Sequence, residues 1–308
     1  AVNPGADVAL FNGLFAYLHE VGAVDPAFIA KHTSGFDEAL ATASSDPTDA
    51  TGLNPRDVAR FYQMFAGTER TVTVFSQGVN QSSSGTDKVN AILNCHLATG
   101  RIGKPGMGPF SVTGQPNAMG GRETGGLANM LAAHLDLESA EHRAAVQTFW
   151  GSPRIAEAPG LKAVDMFRGV SEGRIKALWI ACTNPAVSMP DAGSVRAAIK
   201  GCDFTIVSDI TPQTDTARLA DVLLPATGWG EKDGTVTNSD RTISRQRPAL
   251  PAPGLARHDW AIFADVGRRM GWREAFDYKS PAEIFREHAA LSSVAGRLGR
   301  DFDVSGLE

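Results

Sequence analysis

Residues 177–209 read ALWIACTNPAVSMPDAGSVRAAIKGCDFTIVSD. The apolar run at 177–181 is bounded by turn residues and predicts a buried strand, and residues 204–207 predict a second strand. A helix is expected between them, from about Asp191 to Lys200. Strands that are separated by helices usually pair in parallel. The stretch therefore predicts an α/β fold with a doubly wound, mostly parallel sheet.

The same alternation continues on both sides of this stretch. Upstream, Thr71–Phe75 is β-branched and apolar and predicts a buried strand, followed by a helix that Thr86 caps and that ends at Gly100. Downstream, Thr214–Ala220 has a helical pattern and Val222–Leu224 predicts a fourth short strand. We expect two domains of this kind, because 308 residues is about twice the usual domain length.

The amino-terminal region has helical patterns and no strand. Apolar residues recur at helical spacing in Asp7–Glu20, and Asp25-Pro26 and Asn54-Pro55 have the form of an N-cap followed by the first helical residue. These pairs predict helices over Pro26–His32 and Pro55–Ala66. A chain that begins with helices and without Met is expected to continue a larger protein, the alternative being a helical cap on a complete one.

Residues 100–123 are rich in glycine and proline and predict no regular secondary structure. Long irregular loops in compact proteins are usually functional or disordered. Here Phe110, Val112 and Met119 lie among the glycines, which favours an ordered, functional loop.

Composition excludes several classes of protein. The net charge of −5 argues against a nucleic-acid-binding surface, and no apolar run reaches the roughly 18 residues of a membrane span. The three cysteines lie far apart, so neither a disulfide framework nor an all-cysteine metal site is expected, and they are interpreted as core residues in a reducing compartment. The sequence has no HExxH, P-loop or GxGxxG motif, so zinc hydrolases and ordinary NAD enzymes are disfavoured.

Polar residues follow the predicted strands where ligands bind in doubly wound sheets, beyond the carboxyl ends of the strands. Gln81, Asn184 and Asp209 occupy such positions. Asp209 is compatible either with capping a turn or with accepting two N–H groups of guanine or ribose hydroxyls. Asn184 is compatible with a helix-entry turn or with binding a base or phosphate.

Two cationic residues have similar alternatives. Lys232 lies beside Glu231 in what is either a solvated turn or a phosphate-binding segment. Arg122 either pairs with Glu123 or lies on the surface, which the pattern alone favours, or it presents its guanidinium to a small oxyanion, with Gln115 as a second, neutral donor.

Several motifs together carry a resemblance to a known family. They are GVNQ at 78–81, LATGRIGKPG at 97–106 and TGQPNAMGGRE at 113–123, followed by a series of shorter motifs through 258–260. In this order, over essentially the whole chain, they resemble the molybdopterin oxidoreductase superfamily, and most of all its assimilatory nitrate reductase branch.

The resemblance implies a cytoplasmic enzyme of nitrate assimilation. Its centre would be molybdenum held by two molybdopterin guanine dinucleotides, and its substrate would be nitrate, reduced by two electrons to nitrite. The electron donor would be a ferredoxin, a flavodoxin or an NADH-linked subunit, with no nucleic-acid or membrane partner.

The same resemblance implies roles for individual residues. Arg122 and Gln115 match residues near molybdenum on the substrate path, and none of the chain's residues is expected to ligate the metal. The residues that match cofactor-binding positions are Gln77, Gln81, Asn184, Ser208, Asp209, Lys232 and Asp259.

Two parts of the family pattern have no counterpart in the sequence. The family's cysteines that bind a 4Fe–4S cluster and molybdenum lie upstream of the matched motifs, and a further dinucleotide-binding domain lies downstream. We therefore expect a central portion of the enzyme, inactive alone. Residues 1–135 would complete one α/β domain and carry the substrate-path loop, and residues 136–308 would form a second that binds the dinucleotide.

Two alternatives share the fold. One is a formate dehydrogenase-like molybdoenzyme. The other is a non-catalytic member like the large subunit of NADH dehydrogenase, in which the pterin site is lost. The presence of Gln81, Arg122, Asp209 and Lys232 favours a member that retains the site.

Overall fold

The computed structural model describes residues 1–43 and 47–307 and divides into two units, Ala1–Gln115 and Pro116–Glu308. The domain boundary expected between residues 135 and 136 lies later in the chain than this division and stays a prediction. Over the described residues, no helix combines the length and apolar character that crossing a membrane requires.

The first unit is mainly helical. Its elements are, in chain order, α1 (Asp7–Glu20), α2 (Pro26–His32), α3 (Phe36–Thr42), α4 (Thr48–Thr51), α5 (Pro55–Gly67), β1 (Val72–Phe75), α6 (Gln77–Asn80), α7 (Gly85–Ala98) and β2 (Gly108–Ser111). Strands β1 and β2 pair in parallel, with Val72 opposite Gly108. The predicted caps are confirmed, since Asp25 accepts from Phe28 N and Asn54 from Arg56 N.

The core of the first unit lies where α1 packs against α5 and α7. Its buried members, all under 10% exposed, are Leu10, Leu14, Phe15, Leu18, Val58, Tyr62, Phe65, Cys95 and Ala98. Gly13 allows the close approach of α1 and α5, because a Cβ at this position would lie 2.4 Å from Tyr62 Oη. Tyr62 in turn donates to the carbonyl of Leu10 at 2.7 Å.

The second unit contains the parallel sheet that residues 177–209 predict. Its elements are α8 (Ala118–Glu123), α9 (Ala140–Trp150), α10 (Ala163–Ser171), β3 (Ala177–Ala181), α11 (Pro185–Ser188), α12 (Ala192–Gly201), β4 (Phe204–Asp209), β5 (Val222–Pro225), β6 (Gly234–Thr237), β7 (Ile243–Gln246), α13 (Asp259–Arg269) and α14 (Pro281–Arg297). Short 3₁₀ helices cover Ala132–His134, Ala217–Leu219 and Trp229–Glu231.

Strands β3, β4 and β5 are parallel and lie in that order, so β4 is central. Alternate residues of a strand face opposite sides of a sheet. Leu178 and Ile180 pack with residues of α10 and α12 on one side. Trp179 packs on the other side against Phe263 of α13, with ring centroids 4.6 Å apart. Helices thus cover both faces, and the prediction of a doubly wound parallel sheet is confirmed.

A second core of this unit lies where α14 packs against α9 and the chain around residues 131–137. Its buried residues are Leu131, Ala132, Ala133, Leu135, Leu137, Val146, Leu291, Ala295 and Phe302. Strands β6 and β7 form an antiparallel hairpin that contacts α8 and α14.

Three predictions about elements are wrong. Residues 100–123 were expected to be irregular, but they contain β2 and α8. The glycines and prolines of this stretch have low strand and helix propensity, so the sequence does not predict either element. Helix α7 starts at Gly85, so Thr86 lies inside it and is not its cap. Thr214–Ala220 forms only a 3₁₀ helix over Ala217–Leu219, because the backbone becomes extended at Ala220, with ψ of 143°.

Candidate functional site

A group of charged and polar side chains gathers at the carboxyl end of the β3–β4–β5 sheet. Cys182 directly follows β3, Asp209 is the last residue of β4, and Asp259 is the first residue of α13. The Cys182 thiol donates to Asp259 Oδ1 at 3.5 Å, and Lys232 Nζ donates to Asp259 Oδ2 at 2.6 Å. We call Cys182, Asp209, Lys232 and Asp259 the sheet-end cluster.

The pKa of the Cys182 thiol responds to the other three residues of the sheet-end cluster. This pKa is raised by partial burial and by the charge and hydrogen bond of Asp259, while Lys232 opposes the rise and Asp209 adds to it. Three residues that the sequence predicts as cofactor-binding, namely Asp209, Lys232 and Asp259, therefore act on the same thiol.

Cys182 corrects the interpretation of the cysteines as core residues. Cys95 is buried, but Cys182 is exposed and Cys202 partly exposed. Cys182 also has a left-handed backbone, with φ of 61°. Non-glycine residues rarely adopt this conformation, and such positions concentrate at functional sites. The rule that ligands bind beyond strand ends would have identified this residue, because it comes immediately after β3.

Asp209 caps the turn that follows β4. Its Oδ1 accepts from Ile210 N at 2.7 Å and its Oδ2 from Thr214 Oγ1 at 3.0 Å. The turn-capping alternative therefore describes the local contacts. Each carboxylate oxygen has further acceptor capacity, so these contacts leave the guanine-binding role open.

Asn184 and Ser208 hold the chain on either side of the cluster. Asn184 Oδ1 accepts from both the N and the Oγ1 of Thr216, at 3.2 and 2.6 Å, which joins the turn after β3 to the turn after β4. Ser208 is 2% exposed, and its Oγ accepts from Trp179 Nε1 at 2.9 Å. Both side chains thus fix the strand ends through their oxygens.

Lys232 is not part of a freely solvated turn. Its side chain is 30% exposed, and the carboxylate that pairs with it is 21% exposed. Glu231 turns away from it and accepts from Gly228 N at 2.7 Å. A half-buried ammonium group at a sheet end, held by one carboxylate oxygen, can also bind an anionic ligand.

In the first unit, the residues after β1 form a second polar group. Gln77 Nε2 donates to Thr113 Oγ1 at 3.2 Å, and the same hydroxyl donates to Gln115 Oε1. Gln81 ends the short helix α6 instead of directly following the strand, and it lines a cleft of about 640 Å³. Thr113 was not predicted, although it begins the TGQPN motif.

Buried Lys88 binds the backbone of the turn that follows β1. Its Nζ donates to the carbonyl of Gly78 at 3.2 Å and lies 2.8 Å from Asp7 Oδ2. The ion pair ties α1 and α7 to the segment that carries Gln77 and Gln81.

Arg122 lies on α8 and is exposed. It does not pair with Glu123, because Glu123 is 2% exposed and its Oε1 lies 3.6 Å from Arg241 Nε. The exposed side chain agrees with the alternative of a surface residue, and the role in binding an oxyanion stays a prediction. Helix α8 packs against β6 and the 3₁₀ helix Ala132–His134. These elements carry none of the other predicted site residues of the second unit.

No set of three or more His, Cys, Asp or Glu side chains is arranged to hold a metal ion within residues 1–43 and 47–307. What the second unit offers at its sheet end is therefore a set of charged donors and acceptors, with one cation and two carboxylates. Such a set suits a polar organic ligand that carries phosphates.

Comparison with known proteins identifies the family and the fold. The family model described as molybdopterin oxidoreductase matches residues 1–269. A solved structure of acetylene hydratase from Pelobacter acetylenicus superposes with a TM-score of 0.70 over 96% of this chain and 43% of its own. The two sequences are 16% identical, so this similarity supports the fold and nothing further.

Several relatives are more similar in sequence than the acetylene hydratase. The chain is 47% identical over its whole length to a nitrate reductase of Shewanella frigidimarina, of which it covers 33%. It is equally similar to a nitrate reductase of Klebsiella oxytoca, of which it covers 35%. An F420-dependent formate dehydrogenase 2 subunit alpha of Methanococcus maripaludis is 32% identical over 99% of this chain and 45% of its own length. The chain thus spans about a third of the nitrate reductases that it matches, and it belongs to the molybdopterin oxidoreductase family.

Proposed function

We propose that this chain provides dinucleotide-binding and anion-orienting residues of a molybdenum-dependent nitrate reductase. The reaction is the reduction of nitrate, with two electrons and two protons, to nitrite and water. The observation that carries the choice of nitrate is the 47% identity with nitrate reductases over the whole chain, compared with 32% for the formate dehydrogenase subunit.

The chemistry of the sheet-end cluster fits a molybdopterin guanine dinucleotide. Asp209 has a carboxylate that accepts N–H groups of the kind guanine presents, and Lys232 neutralises phosphate charge while Asp259 holds its ammonium in place. Asn184 binds the guanosine at the end of β3, and Ser208, which is 2% exposed, supports the end of β4 through its contact with Trp179. Gln77 and Gln81 bind the pterin of a dinucleotide from the first unit.

Bound molybdenum supplies the capacity to accept an oxygen atom and to pass two electrons. The work of the protein is to bring nitrate to it and hold it there. Arg122 is exposed and pairs with no carboxylate in the described part of the chain, so its planar fork of N–H donors is available to a planar anion. Gln115, the last residue of the first unit, is the other predicted residue of the substrate path, and Thr113 orients its amide through its oxygen.

This proposal is preferred to the two alternatives for different reasons. A non-catalytic member that has lost the pterin site is not expected to retain an ion-paired lysine and two carboxylates at the sheet end. A formate dehydrogenase needs the same dinucleotide, so the two activities are separated by assay: nitrite formation and formate oxidation are measured on the same molybdenum-loaded protein.

The experiment that tests the role of Arg122 is its replacement by alanine in the full-length enzyme. Loss of a charge-assisted hydrogen bond to nitrate is expected to raise KM and to lower kcat/KM by at least about tenfold. Molybdenum content is expected to stay near that of the wild type, because Arg122 holds the substrate and not the cofactor. A collapse of metal loading would assign Arg122 a structural role instead.

A further inference from the structure

The helix that carries Arg122 has little stability of its own. Helix α8 has six residues, two of which are the glycines Gly120 and Gly121. Isolated helices of this length are not stable in water, and each internal glycine costs up to about 1 kcal/mol relative to alanine. The direction of the Arg122 side chain therefore depends on what holds α8 in place.

Both ends of α8 are held by one hairpin, formed by β6 and β7. At the amino end, the Asn117 side chain accepts from Thr237 N at 2.9 Å. Gly120 leaves room for this contact, because a Cβ there would lie 2.1 Å from Asn117 Oδ1. At the carboxyl end, Glu123 lies beside Arg241 at the tip of the hairpin.

The Glu123–Arg241 ion pair joins a buried carboxylate to a partly exposed guanidinium. The carboxylate is 2% exposed, and its Oε1 has no hydrogen bond from any described residue, so Arg241 Nε at 3.6 Å is its charge partner. Arg241 has a left-handed backbone with φ of 68°, and its guanidinium lies 5.8 Å from the centre of the Phe302 ring. A buried carboxylate that loses its partner is strongly destabilised, so the loss of Arg241 is expected to weaken the hold on α8 at Glu123.

We propose that Arg241 is a positioning residue that acts through Glu123 to orient Arg122 toward the substrate anion. The β6–β7 hairpin fixes α8 at Asn117 and at Glu123, and Arg122 projects from the segment between these anchors. This inference rests on the proposed function, since it requires that Arg122 binds nitrate.

The test compares variants of the full-length enzyme. The variants are Arg241→Gln, Glu123→Gln and the double variant, with Arg245→Gln as matched control. Arg245 lies on the same hairpin, but its guanidinium contacts Asp233 and the carbonyls of Gly234 and Gln246, none of which belongs to α8. Arg122→Ala is measured in parallel.

We expect Arg241→Gln to raise KM for nitrate by about tenfold or more, because misplacing a substrate-orienting group by about 1 Å costs up to about 100-fold. Molybdenum and guanine nucleotide content should match the wild type. The double variant should have a KM nearer the wild type than Arg241→Gln, because it leaves no unpaired buried charge. The control should not differ from the wild type.

A second readout does not use activity. Amide hydrogen exchange of the peptide covering 117–124, measured on cofactor-free protein, should be faster in Arg241→Gln than in Arg245→Gln. A KM within about twofold of the wild type in Arg241→Gln, or a double variant no better than Arg241→Gln, contradicts the inference. So does a fall in kcat and metal content at constant KM, which is the result of a merely structural role.

The parallel variant separates this inference from the function on which it rests. If Arg122→Ala raises KM and Arg241→Gln does not, the hairpin has no positioning role and the proposed function stands. If Arg122→Ala leaves KM unchanged, Arg122 does not bind the anion, and the proposed role of Arg122 and this inference fail together.

Discussion

The carboxylate of Asp209 caps a turn and has a proposed role in binding guanine, and one substitution can separate the two. Asparagine at this position retains an oxygen for Ile210 N, and its amide can donate to the Thr214 hydroxyl, so the turn after β4 should keep its form. Guanine, however, would meet an N–H donor in place of an acceptor. We expect Asp209→Asn to lower the amount of guanine nucleotide retained per polypeptide by at least about fivefold, the cost of one unsatisfied polar group.

The measurement is the guanine nucleotide released from purified full-length enzyme. Thr214→Val serves as the control, because it removes the hydrogen bond in the turn and leaves the carboxylate. Unchanged nucleotide content in Asp209→Asn, or an equal loss in Thr214→Val, would leave Asp209 with its turn-capping role alone.

His96 makes the stability of the chain depend on pH. It is fully buried between Thr73 and Phe65, with Nε2 2.7 Å from Thr73 Oγ1. Burial, and secondly the charge of Arg101, lowers its pKa from 6.5 to about 4. Between these values the unfolded chain binds a proton that the folded chain does not. Stability must therefore fall as pH is lowered through this window.

Relative to a His96→Gln variant, the wild type should lose about 2 kcal/mol of unfolding free energy between pH 7 and pH 5. Denaturant titrations of both proteins at the two pH values measure the difference, and other titrating groups cancel in the comparison. Equal losses in the two proteins would show that His96 does not control this window.

At the scale of the residue, the sequence points to candidate site residues but not to the residues with which they form ion pairs. The strand-end rule finds Asp209 and Asn184, and the family motifs find Lys232 and Asp259. What the sequence does not show is that Lys232 pairs with Asp259, or that Glu123 pairs with Arg241 and not with its neighbour Arg122. These pairs join segments that only the tertiary fold brings together.

At the scale of the element, the contact of α1 with α5 offers a test of close packing. Replacing glycine by alanine inside a helix usually stabilises it by up to about 1 kcal/mol. At Gly13 the new Cβ would lie 2.4 Å from Tyr62 Oη and 3.1 Å from Pro47. We expect Gly13→Ala to destabilise the chain by about 1–3 kcal/mol, the usual cost of overpacking.

Denaturant unfolding measures this effect, with Gly193→Ala in α12 as control. A Cβ at Gly193 would meet only Asp191 Oδ1, at 3.9 Å, so this variant should not lose stability. Adding Tyr62→Phe to Gly13→Ala removes the clashing oxygen, and the double variant should lose less than the sum of the single losses. Additive losses would place the strain elsewhere.

Elements with local signals were predicted almost to the residue. Helices α1 and α2 and strand β3 have their expected bounds, because periodicity and N-caps lie within the segments themselves. Strand β2 has the sequence GPFS and becomes a strand only by pairing with β1. The prediction at 214–220 failed because the backbone becomes extended at Ala220, which leaves only one 3₁₀ turn.

At the scale of the molecule, the covered faces of the β3–β4–β5 sheet leave its strand ends as the expected ligand site. Helices cover both faces of this sheet, and ligands of such sheets bind beyond the carboxyl ends of the strands. The sequence predicted this architecture because strands and helices alternate along the chain. The domain boundary, the iron–sulfur cluster, the electron donor and the cytoplasmic location stay predictions.

The central claim is that the protein containing this chain reduces nitrate at a molybdenum centre. The most direct measurement is the rate of nitrite formation per bound molybdenum, in the purified full-length enzyme with a chemical electron donor and with formate oxidation assayed on the same sample. We predict nitrite formation that depends on Arg122 and no comparable oxidation of formate. A molybdenum-loaded protein that oxidises formate and forms no nitrite from nitrate would contradict the account.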